Sequence, residues 1–358
     1  MMATTFGGSD YAPIPDPPST KRPDSARSDE TSEPDDDFVT LDWALHDEEA
    51  NSDAMRRLES LKTLPRSFGA VLKVYDALQG WIALTLIGCA TGFLAAVVAI
   101  ASEWASDLKF GHCYSDGFVN HFWVARKMCC KHSIGDESCP LWRRWHETFE
   151  SLTDISLGSA SWGFDYTSYV VVSLIQALLA ARLCITLAPF AAGSGIAELK
   201  VILGGFVIKR FLGALTLAVK TVGLILQVGA NVGLGKEGPF VHVGCCVANI
   251  VSRAFAKYRS NASKKRELLS CAAAAGVAVA FGAPVGGVLF SLEEISSYFP
   301  PKTMWRSFFC SAVAVLAMAQ LNPISNGAKL VMFEVTFHHH WKLFELVPFA
   351  LLGAAGGL

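Results

Sequence analysis

"NVGLGKEGPFVHVGC", residues 231–245, sets a lysine and a glutamate side by side between glycines, inside one of the most apolar reaches of the chain. Pro239 suits the first turn of a helix, because the amide hydrogen it lacks would have no intrahelical acceptor there. The spacing therefore predicts a helix running on through "FVHVGCCVANIV". Glu237 then stands at a helix N-terminus, where free amides and the positive end of the dipole attract a carboxylate or a bound anion. A side chain that sits where an anion would sit, and withdraws when protonated, acts as a gate. A helix-capping carboxylate paired with Lys236 would explain the same residues without any gate. A phosphate-binding loop does not, because Glu237 follows the lysine where that motif needs Ser or Thr.

Outside this stretch the composition points to a membrane. The 358 residues are 52% hydrophobic and 17% charged, with mean hydropathy +0.36, whereas soluble domains carry roughly 25% charged residues. A net charge of -2 offers no basic stripe for nucleic acid. Residues 1–66, with "SDETSEPDDD", are too polar to offset the entropy of ordering and read as a disordered acidic tail. That tail lacks the basic start and short apolar core of a signal peptide, which assigns it to the cytoplasm. Phe38, Leu41, Trp43 and Leu45 within it form a short docking stretch or are incidental.

Residues 77–102 are uncharged and long enough to span the hydrocarbon layer, which needs about 20 helical residues. The preceding "SFGAVLKVYDALQGW" reads as a short amphipathic helix at the interface. One crossing puts the polar stretch 103–165 outside the cytoplasm, where a disulfide among Cys113, Cys129, Cys130 and Cys139 can persist. Zinc is disfavoured there by the adjacent cysteines of "MCCKH". Later apolar segments, 166–190, 211–235, 238–252, 268–292, 307–328 and 346–358, are often short or interrupted by Gly and Pro. Broken helices at membrane depth are tolerated where they are buried in protein or line a cavity, which is a transporter or channel pattern. The basic run 253–267 belongs to the cytoplasm by the positive-inside rule, so the sequon at Asn261 would go unglycosylated.

Two further motifs accompany the first. In "GSGIAELK", 193–200, glycines let backbone approach a ligand, Ser194 offers a hydroxyl, and a helix starting near Ile196 aims its amides at the loop. Alone, Gly-Ser-Gly is also an ordinary turn. In "AFGAPVGGVLFSLEEISSYFPP", 280–301, Glu293 and Glu294 close a long uncharged run; carboxylates there serve a proton relay or snorkel at a membrane edge. A serine hydrolase would need a histidine base near Ser194, and His242, the one candidate, lies among apolar neighbours that favour packing. The His338–His340 triplet reads as solvated, and no metal site is expected.

In this order the motifs "GSGIAE", "GKEGPFVH" and "GAPVGGVLFSLEE" resemble the CLC family of chloride channels and chloride/proton exchangers, specifically its eukaryotic intracellular exchanger branch, from about Ser67 onward. The resemblance implies an all-α membrane fold of tilted, broken helices in inverted repeats. It implies a homodimer with one chloride pathway per subunit and voltage-gated-type transport. Ser194 matches the serine that coordinates the central chloride, with a preference for chloride over nitrate; Glu237 matches the gating glutamate, and Glu294 the internal proton glutamate of exchangers. Glu293 and Lys236 are possible auxiliaries. The amides of Gly195, Ile196, Gly238, Phe240 and Val241 lie where family members bind chloride. Ala197 departs from the family's usual proline, restoring an amide donor and loosening the seat.

By the same resemblance residues 67–358 are a partial membrane domain, the first repeat plus the start of the second part. The rest of the second repeat and the adenine-nucleotide-binding CBS pair lie outside the chain, which itself calls for no cofactor. The expectation is a chloride/proton antiporter in the full-length homodimer, in endosome, vacuole or Golgi rather than plasma membrane. The alternatives are a passive chloride channel, or a truncated subunit that pairs with and regulates a complete one.

Overall fold

The computed structural model describes residues 66–114, 122–130, 139, 141–321 and 342–357, together with Glu48, Asn51, Ser52, Met55, Arg56 and Glu59, which are helical and exposed. The docking stretch at 38–45 and the His338–His340 triplet lie outside the described residues.

The first helix, α1, runs unbroken over Arg66–Asp107, 42 residues. This corrects the expected break between an interfacial helix and a span: nothing in "VYDALQGW" interrupts the backbone ladder, and Gly80 lies against the Tyr258 hydroxyl, 3.0 Å from where its Cβ would be. Among the described residues, three stretches are long and apolar enough to cross a membrane: Leu78–Asp107, Gly158–Leu187 and Pro301–Leu321.

Between the first two spans lies a small cap. Strands β1 (Gly111–Cys113) and β2 (Trp142–Arg144) pair antiparallel, flanked by α2 (Arg126–Cys129) and α3 (Trp145–Thr153). Both cysteine pairs are closed, Cys113–Cys129 and Cys130–Cys139, with Cα separations of 6.0 and 5.6 Å inside the range a disulfide spans. The sulfurs of Cys129, Cys130 and Cys139 lie within 4.8 Å of one another, but all three are consumed in these bonds. The cap is narrower than the expected 103–165 loop, since α1 persists to Asp107 and the next span, α4, begins at Ser161 and ends at Leu187. It is fastened to the body by Trp145 Nε1 donating to Leu108 O at 2.9 Å and by His146 Nδ1 at 2.8 Å from Asp165.

The remaining helices are shorter: α5 (Ile196–Gly204), α6 (Ala214–Gly229), α7 (Glu237–Ser252), α8 (Ala256–Ser260), α9 (Ala262–Phe281), α10 (Pro284–Phe290), α11 (Pro301–Leu321) and α12 (Leu346–Gly357). Pro284 opens α10, and five residues of π-helix, Ser291–Ile295, follow it. The uncharged run from Leu268 is thus two helices, because Gly282 closes α9 in the left-handed conformation at φ 69° and proline restarts the chain. At about 1.5 Å per residue, the nine residues of α5 cannot span a bilayer.

The core is centred on α9. Its "CAAAAGVAVA" face, 271–280, is buried all round, packed against α7, α10, α11 and α1. Small residues permit this closeness. A Cβ on Gly244 of α7 would stand 2.6 Å from Ala272 O, and one on Gly276 of α9 would stand 2.5 Å from Phe240 O.

Candidate functional site

The site is assembled where two short helices start. Gly195 caps α5 with φ +82°, a conformation that costs a residue with a Cβ. A Cβ there would also stand 2.7 Å from His242 Nδ1, so a side chain is excluded twice. This turn points the first amides of α5 toward the loop and leaves Ser194 exposed, its Oγ 3.4 Å from the Ile196 amide. The amides of a first helical turn have no intrahelical acceptor, and Ala197 adds one that a proline would have removed.

α7 begins at Glu237, with Lys236 as its N-cap and Pro239 in its first turn, buried. The Glu237 side chain is half-buried, and its carboxylate folds back against Gly235, where a Cβ would collide with Oε2. Phe240 and Val241 are fully buried, and the Phe240 amide donates to Lys236 O at 3.1 Å. The unengaged donors at this end are therefore those ahead of Pro239, those of Glu237 and Gly238. The two helix starts meet: a Cβ on Gly238 would lie 2.6 Å from the Ser194 Cβ. Residues 44 positions apart in sequence thus share one seat, with a hydroxyl, two sets of amides and a carboxylate around it.

Sequence reasoning left one contributor, Lys220, without a role. Lys220 interrupts apolar α6, is 4% exposed, and donates from Nζ to Ala191 O at 2.9 Å and Gly193 O at 2.5 Å. It fixes the backbone just ahead of Ser194 and brings a positive charge behind the seat. The signal was present, since a lone cation in an apolar helix has to find acceptors. His242 stacks on Phe211 with centroids 4.0 Å apart, and its Nε2 lies 3.0 Å from Phe211 O. A carbonyl partner requires the hydrogen on Nε2, so Nδ1, facing Gly195, is an acceptor. This is the packing role expected of it, and a nucleophilic Ser194 gains no base from a ring turned to a carbonyl.

The two other carboxylates lie elsewhere. Glu293 and Glu294 sit on the π-helical turn and are exposed, and Glu294 pairs with Lys200 of α5 at 3.4 Å. Since Lys200 lies on α5, which starts two residues after Ser194, α5 links the seat to Glu294 without bringing them together. Behind the turn, Ser291 Oγ donates to Ser270 O at 2.8 Å, and the Ser270 and Ser296 hydroxyls lie 2.5 Å apart. These bonds hold the turn to α9.

Comparison with known proteins agrees with this architecture. Residues 176–358, just over half of the chain, match the family described as voltage gated chloride channel. The chain is 46% identical over 328 residues to human H(+)/Cl(-) exchange transporter 5, covering 90% of this chain and 39% of that one. It is likewise 46% identical to human H(+)/Cl(-) exchange transporter 3, again over 90% of this chain and 39% of the other. It therefore spans about two-fifths of the length of these relatives. Among solved structures it is similar in fold to a eukaryotic CLC transporter, with TM-score 0.51, 24% identity, and 68% of this chain and 38% of that one covered. A slow cyanobacterial Cl-/H+ antiporter gives TM-score 0.50 at 20% identity, covering 76% and 53%. An all-α fold of broken membrane helices, a family match over most of the motif-bearing region and high identity to relatives across nearly the whole chain leave one assignment: the chain belongs to the voltage gated chloride channel family.

Proposed function

We propose that this chain forms part of the ion pathway of a chloride/proton exchanger in an intracellular membrane, working as a homodimer with one pathway per subunit. The observation that carries the reading is the meeting of Ser194 with the start of α7 at Gly238. A hydroxyl and unpaired amides there make a seat for an anion that needs no metal and little full charge. Glu237 stands at the rim of that seat. Ionised, it competes with chloride for the same donors; protonated, it loses that affinity and swings out. Its proton is then what chloride exchanges against. Glu294, on the far side of α5, hands protons to and from the cytoplasm, with Lys200 as its partner. The relatives named as H(+)/Cl(-) exchange transporters support the coupled reading over a passive channel, and so does a carboxylate at 294.

The test uses the full-length protein in liposomes, with chloride and proton fluxes recorded together. Glu237→Ala is expected to leave anion flux in place and abolish proton movement against a chloride gradient. Persistent proton pumping in that variant would refute the gate. Glu294→Ala should cut proton transport selectively, and unchanged coupling would remove it from the path.

A further inference from the structure

α5 follows directly on Ser194 and Gly195 and carries Lys200 in its middle, yet it is only nine residues long and buries just Leu199, Ile202 and Leu203. Packing that small leaves its tilt poorly fixed. Its far end is held by a residue from another helix. Arg266 of α9 is 3% exposed and donates from Nε to Ile202 O at 2.9 Å and from Nη2 to Gly205 O at 2.7 Å. Terminal helix carbonyls have no intrahelical donor and carry the negative end of the dipole, and a guanidinium serves two of them in one fixed fork. Gly205, at φ +136°, turns the chain so that both carbonyls face the same side chain. The adjacent Glu267 is buried and held by Lys264 at 2.7 Å and Arg306 at 3.1 Å.

α9 therefore touches both halves of the seat. Through Gly276 it packs on the Phe240 and Val241 backbone at the start of α7, and through Arg266 it grips the end of α5. A rigid rod of about 14 Å transmits any change at one end to the other, and recognition sites lose selectivity when their groups move by about an ångström. We propose that Arg266 is a positioning residue for the anion seat: by holding the Ile202 and Gly205 carbonyls it sets where the Ser194 hydroxyl and the Ile196 amide stand against Gly238. This rests on the reading of Ser194 as a chloride ligand.

The test measures the chloride-to-nitrate permeability ratio of the full-length protein from reversal potentials, a readout that a smaller folded fraction does not move. Arg266→Met is expected to lower the ratio several-fold, and Arg266→Lys, which keeps the charge but reaches one carbonyl at a time, by an intermediate amount. Arg306→Met, in the same cluster but without a bond to α5, should leave the ratio unchanged. If Arg266→Met does not reach the membrane, the lysine variant decides alone. A wild-type ratio in the Arg266 variants, or an equal fall in Arg306→Met, overturns the proposal. Ser194→Ala is the control on the reading beneath it: a changed ratio there with unchanged Arg266 variants sinks only the positioning role, whereas no change in any of them sinks the chloride seat itself.

Discussion

α9 and α4 are both long and apolar, and they end in opposite environments. Most of α9 is buried, from Arg266 to Ala280 without a gap. In α4 the single buried residue among those described is Gln176, whose Nε2 donates to Ala105 O at 2.8 Å, while Val170, Val171, Leu174, Ile175, Leu178 and Leu179 are exposed. The difference in packing follows side-chain volume. In lipid an exposed leucine costs nothing, so helices associate where small residues let backbones approach and dispersion contacts accumulate. α9 offers alanine and glycine and draws four helices to itself, and α4 offers branched side chains and leaves them to the apolar surroundings.

The sharpest way to break the contrast is to add one methyl group to α9. At Gly276 a Cβ would meet Phe240 O at 2.5 Å, Val241 Cα at 2.7 Å and Phe240 C at 2.8 Å. All three are backbone, so no rotamer change relieves them and α7 has to move. Gly276→Ala is expected to cost about 3 kcal/mol or more, read as a lower melting temperature in detergent. Since the displaced atoms lie one turn from Glu237, exchange should fall further than the folded fraction does.

A second comparison sets two lysines against each other. Lys220 is buried on two carbonyls, whereas Lys200 is half exposed and, among the described residues, pairs with Glu294. Lys220→Met leaves Ala191 O and Gly193 O without their donor, at about 2 kcal/mol. Lys200→Met removes an exposed pair of the kind that contributes about 0–1 kcal/mol. Equal melting temperatures for the two variants would remove the clamp on the Ser194 loop.

How far these features could be read in the sequence follows the range of the physics behind them. The starts of α5 and α7 were legible, because proline, glycine and first-turn preferences act within a few residues. So was the place of Ser194 and Glu237 beside those starts. The continuity of α1 was not, because a polar stretch such as "KVYD" reads as an interface when nothing shows what it packs on. The Lys220 and Arg266 contacts were also out of reach: each joins a cation to carbonyls 27 or more residues away, and backbone carbonyls carry no sequence signature. Four cysteines in one extracytoplasmic stretch were grounds to expect a bridge, but the pairing needed β1 and β2 set side by side.

The cap supplies an intermediate case, an aromatic interior outside the spans. His112 is 2% exposed, stacked 4.9 Å from Phe122 and tilted against Trp145 at 5.2 Å, and neither ring nitrogen has a hydrogen-bond partner among the described residues. Burial first, and then the Arg143 charge, holds its pKa below the usual 6.5. The unfolded ring takes up a proton near that value and the folded ring only at lower pH. Over that interval the unfolded state binds more protons, so the stability this group confers is full above 6.5 and is lost as pH falls toward the folded value. The melting temperature should therefore decline on acidification below 6.5, and His112→Phe, which keeps the stack, should flatten that part of the profile. An unchanged slope in the variant would assign the acid sensitivity to other groups.

The smallest effect is expected where the same methyl is added to α4. Gly163 lies in the first turn of that helix, and a Cβ built on it finds no atom within 4 Å. Its φ is not positive, so alanine meets no backbone strain. Glycine in a helix is less favourable than alanine by roughly 0.5–1 kcal/mol in helix interiors, mainly through the freedom it keeps in the unfolded chain, and less than that in a first turn. Gly163→Ala should therefore leave the melting temperature unchanged or raise it slightly, with exchange unaffected. Identical chemistry at 163 and 276 then separates by about 3 kcal/mol or more. A loss at 163 comparable to that at 276 would mean that α4 packs against protein in the assembled transporter as closely as α9 does, and that its bulky face is an interface rather than a lipid-facing surface.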